Sequence, residues 1–128
     1  MDCKNDPASD ASTISTATAS SAVGDLVHIH GRCVVSETVR LLGQRAYRGD
    51  SRAGTVIVQA NGSSLVAVVA SDGYLRNFTW TDEPISIAHL TVDGNAAGNP
   101  GRPTAGLAVR AWFSTVDDVR LPMLREAS

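Results

Sequence analysis

Lysine is nearly missing from this chain: Lys4 is the only one, and arginine supplies the rest of the positive charge. Arginine's planar, weakly hydrated fork suits interfaces better than lysine's ammonium does. The formal charge of −2 leaves no broad basic field, so no direct contact with nucleic acid is expected. Aromatic residues make up 5% of the chain, too few to fill a core and also line a stacking platform. No stretch approaches the roughly 18 apolar residues of a membrane helix, and the start Met-Asp-Cys-Lys-Asn-Asp-Pro carries no apolar export signal. No membrane partner and no secretion by a signal peptide are therefore expected. Cys3 and Cys33 are the only cysteines, which is no disulfide framework. They can bond to each other or remain thiols. Without an export signal, thiols are favoured.

Helix signals are also scarce. Residues 8–23 are Ser, Thr and Ala with only Ile14 and Val23 as larger apolar residues, a composition that cannot offset its own ordering entropy. Residues 1–23 are thus expected to be an extended arm that gains order on a neighbouring surface, ahead of one domain over 24–128. That domain reads as short strands separated by Gly, Asn, Asp and Pro. Thr55–Ala60 and Leu65–Ala70 flank Asn61-Gly62, the pattern of a hairpin. Tyr74–Trp80 alternates, as do Leu107–Phe113 and a final run interrupted by Pro122. Residues 43–53 and 93–106 read as loops. About eight short strands with regular turns and no internal repeat predict an all-β fold, a single sandwich or jelly-roll-like domain.

Candidate sites are few. His28 and His30 share one strand face, and Cys33 or His89 could supply a third ligand. No carboxylate cluster with ligand spacing accompanies them, so neither a metal nor another cofactor is expected. Arg48-Gly49-Asp50 matches an adhesion tripeptide, which chance explains. Asn61-Gly62-Ser63 and Asn77-Phe78-Thr79 match glycosylation acceptors, and Asp117-Asp118 with Glu37 offers carboxylates without a base or nucleophile. No nucleophile elbow or phosphate loop occurs, so no enzyme is expected. The contact residues expected on the arm are Ile14, Thr16 and Thr18. Those on the loops are Arg45, Tyr47, Arg48, Arg52, Asn99 and Arg102.

An extended terminal arm on a small β-domain resembles, in architecture and composition, the capsid decoration (cement) proteins of tailed phages. The resemblance implies a structural virion protein, assembled in the host cytoplasm, whose partners are copies of itself and a capsid or shell protein. It also implies that residues 24–128 stay folded without the arm. Two alternatives differ in class. One is a glycan- or cell-surface-binding module that stacks sugars on Tyr74, Phe78 and Trp80 or on Trp112 with Arg110. The other is a small metal-dependent β-barrel enzyme built on His28, His30 and Cys33.

Overall fold

The computed structural model describes residues 1–77, 82–101 and 104–122. Its strands are β1 (Leu26–His28), β2 (Gly31–Val35), β3 (Val39–Leu41), β4 (Arg45–Arg48), β5 (Thr55–Gln59), β6 (Ala67–Ser71), β7 (Ile85–Asp93), β8 (Ala105–Ala108) and β9 (Thr115–Arg120). The helices are α1 (Asp10–Ser20), α2 (Asp72–Asn77) and a 3-10 turn at Ala96–Gly98. Every ladder between these strands is parallel. The all-β sandwich or jelly roll is therefore incorrect: the fold is a mixed one of parallel sheets with helices.

The ladders trace a coil. The first turn, β1-β2-β3, lies against the second, β4-β5-β6. The long β7 covers both β4 and β5, β8 covers β6, and β9 adds to β7. Inward residues stack from turn to turn as Val27–Tyr47–Ile87, Cys33–Ile57–Val92 and Val39–Val69–Leu107. All but Leu107 are buried, and Leu107 packs against the same core. Full burial of each large side chain contributes about 1.5–3 kcal/mol.

Asn61-Gly62 does not close a hairpin. Gly62 has φ +74°, as turn chemistry requires, but the chain turns a corner of the coil there and β5 and β6 join different ladders. The amide of Asn95 in the next turn donates to Asn61 Oδ1 and to the Gln59 carbonyl. Tyr74 lies on α2 rather than on a strand, and residues 78–80 of the expected run fall outside the described residues.

Residues 1–23 are not an extended arm. Ala11, Ile14 and Thr18, at helical spacing, are buried on one face of α1. The helix packs against β2 and β3. Ahead of it, the Cys3 and Asn5 amides donate to the His30 and Arg32 carbonyls, extending the sheet beside β2. The buried Asp10 carboxylate accepts from the Lys4, Asp6 and Val34 amides. The segment thereby covers an edge that would otherwise offer unpaired backbone groups. Cys3 and Cys33 form a disulfide across this junction, so free thiols are also incorrect.

Gln59 is wholly buried, and its amide fastens three corners of the coil. It donates to the Gly94 carbonyl and Thr104 Oγ1 and accepts from the Leu65 amide. Gln59→Leu keeps the volume but strands these groups without water. The expected loss is about 2–4 kcal/mol, read as a lower urea midpoint at unchanged slope.

Candidate functional site

Among the described residues, two surface features are candidate sites. The larger is an open groove of about 660 Å³ across the outer faces of β2, β5 and β7. Along each strand, alternate residues face outward. Val34, Val58 and Asp93 stand in register across the three strands and form part of its lining. Arg32 and Ser36 contribute from β2 and just beyond it, Asn61 and Ser63 from the corner after β5, and Asn95 from the corner after β7. The flanking groups are held in place. Arg32 Nε donates to Asn5 Oδ1 (3.1 Å), and Asp93 Oδ1 accepts from the Asn95 amide (2.8 Å).

The second feature lies where β1 meets β2. His28 and His30 stand side by side with ring centroids 4.1 Å apart. His28 Nε2 and His30 Nδ1 lie 3.1 and 2.9 Å from Oδ1 of Asp50, which follows β4 in the next turn. Cys33, a third ligand expected from sequence, is buried in the disulfide and unavailable. Asp50 takes its place. Gly49, just before it, sits so tightly that a Cβ there would lie 2.7 Å from Thr55 Cβ, so only glycine fits without a shift. Asp50 of the triplet Arg48-Gly49-Asp50 faces the two imidazoles.

The expected contact residues scatter. Ile14, Thr18, Tyr47 and Asn99 are buried and cannot meet a partner in this fold. Tyr47 fills the coil interior, where its hydroxyl donates to the Leu42 carbonyl and accepts from the Leu42 amide. Burial raises its pKa, which the Leu42 hydrogen bond partly offsets. Arg45 ties the end of α1 to β4 through Ser21 and Gly43. Thr16, Arg48 and Arg52 are exposed, and Arg102 lies outside the described residues. Asp118 sits between His89 and Arg52, and its hydrogen bond to His89, then the Arg52 charge, hold its carboxyl below the ordinary value. Of the expected aromatic face, only Tyr74 falls within the described residues. Tyr74 lies under the Arg110 guanidinium, 5.5 Å from its ring centre, and Phe78 and Trp80 are outside the described residues.

No family model, curated protein or solved structure matches the chain. Among the described residues, no helix is long and apolar enough to cross a membrane.

Proposed function

We propose that the protein is a binding module for an extended, polar polymer of the glycan class, held along the β2-β5-β7 groove. The observation that carries this is the groove's form: open, long enough to cross three stacked strands, and lined about equally by polar and apolar surface, with Ser36, Asn61, Ser63 and Asn95 among the polar groups. An enclosed, mainly apolar pocket suits a compact ligand. An open one with Asn and Ser amides and hydroxyls suits a hydroxyl-rich chain that donates and accepts at every residue. Arg32 and Asp93 contribute one charge of each sign, which favours a neutral or weakly charged glycan over a polyanion. Among the described residues no aromatic side chain lines the groove, so hydrogen bonds rather than stacking supply the specificity. The Cys3–Cys33 bond supports the same role, because such bonds persist in oxidising compartments, where extracellular glycans are met.

Binding of the full chain to an array of neutral and uronate-containing polysaccharides tests the proposal. Asp93→Ala and Asn61→Ala are each expected to weaken the best ligand by about tenfold, the loss of one well-formed polar contact. An array without hits, or affinity indifferent to both substitutions, would end it.

A shell-assembly role in a virion is favoured by one separate observation. Phe113 is 88% exposed, and Trp112, Val116 and Leu121 along the last turn of the coil are about half exposed. An apolar surface at a strand edge is a place for association. Light scattering over a concentration range separates the two roles: growth in mass that Phe113→Ser abolishes favours assembly, and a constant monomer mass favours the binding module.

A further inference from the structure

We propose that His28, His30 and Asp50 form a binding site for a divalent transition-metal ion, with zinc as its best-fitting occupant. One ligand atom from each of His28, His30 and Asp50 can be chosen so that all three lie within 4.8 Å of one another, and His28 Nε2 and His30 Nδ1 already touch the same Asp50 oxygen. Tetrahedral zinc, with bonds of about 2.0–2.2 Å, sets neighbouring ligands roughly 3.4 Å apart. Small side-chain rotations therefore suffice to seat the ion. Two imidazoles and a carboxylate are a donor set that zinc accepts, and they leave a fourth position open to water. All three side chains are partly exposed, so an ion enters directly from solvent.

The backbone beneath the site is fixed, as a metal site requires. Thr55, wholly buried, accepts from the Asp50 amide through Oγ1 and donates from the same hydroxyl to the Ile29 carbonyl. One side chain thus clamps the Asp50 backbone to the residue between the two histidines. His30 is held on both sides, its amide donating to the Met1 carbonyl and its carbonyl accepting from the Cys3 amide. His28 ends β1 and His30 lies just before β2, and their rings stand side by side with centroids 4.1 Å apart.

Positive charge nearby opposes a cation, including the Met1 ammonium, which donates to the His28 carbonyl at 2.7 Å. Arg48 is the ladder partner of His28 and brings positive charge to the same face. Its removal is expected to tighten binding, an effect that a nonspecific surface ion would not show with the same ligand dependence.

Zinc titrated calorimetrically into the full oxidised chain at neutral pH tests the site. One equivalent is expected to bind. His28→Ala, His30→Ala and Asp50→Asn should each weaken it by at least about tenfold, and His89→Ala, which alters the remaining histidine, should leave it unchanged. Circular dichroism establishes that each variant is folded. In the unaltered chain, zinc is expected to shift the ring resonances of His28 and His30 but not those of His89. The site is overturned by less than stoichiometric binding, by affinity that survives all three substitutions, or by resonance shifts confined to His89.

Discussion

Deletion of residues 1–23 is expected to leave a chain that does not fold. The resemblance to an assembly arm implied the opposite, a stable domain over 24–128. Three losses coincide in the deletion. Ile14 is fully buried against the coil, and removing a buried isoleucine side chain costs about 2–5 kcal/mol. The disulfide to Cys33 goes with it. So does the Asp10 carboxylate, leaving the Val34 amide on β2 without its acceptor. Together these approach the roughly 5–15 kcal/mol that holds a typical domain together. Far-UV circular dichroism and amide dispersion of the truncated chain check the result. A cooperative unfolding transition with native dispersion would show that the coil closes its own first turn and that the segment is dispensable.

Loss of the Cys3–Cys33 bond alone is expected to cost about 3–4 kcal/mol. The bond joins residues 30 apart in sequence, and closing a loop of that length in the unfolded chain accounts for this magnitude. Cys3→Ala is the cleaner variant, because Cys33 lies wholly inside the core and a serine there would add an unpaired hydroxyl. Urea unfolding of the native chain with and without reductant should show the same drop in midpoint as Cys3→Ala does without it, and the variant should ignore reductant. A native chain indifferent to reductant would mean that α1 and its polar contacts hold the first turn unaided.

The face of each strand was legible in the sequence, because alternation reports which side chains point inward. Val27 and Ile29 are buried while His28 and His30 between and beside them look out, as the pattern between Val23 and His30 requires. Which strand lies next to which was not legible. Alternation and turn residues are the same for a sandwich and for a parallel coil, and Asn-Gly serves a corner as well as a hairpin. The register also hides any repeat. Leu26 pairs with Ala46, Gly31 with Thr55 and Val39 with Val69, intervals of 20, 24 and 30 residues. Stacked turns of such unequal length leave no fixed period in the sequence.

The first helix escaped notice for a related reason. Its buried face consists of Ala11, Ile14 and Thr18, with a single large apolar side chain among them. Such a face carries little amphipathic signal, and its stability comes from docking rather than propensity. The histidine pair at 28 and 30 could be seen in the sequence as two rings on one side of a strand. Their third partner could not, because Asp50 is 20 residues from His30 and reaches it only through the stacking of one coil turn on the next. Local chemistry, meaning side-chain direction, turn positions and the shortage of basic and aromatic residues, was determined by the sequence alone. The neighbours of each strand, the bond between the two cysteines and both clusters of polar surface groups were decided by the tertiary structure. They depend on distances between residues far apart along the chain, which only the packed fold sets.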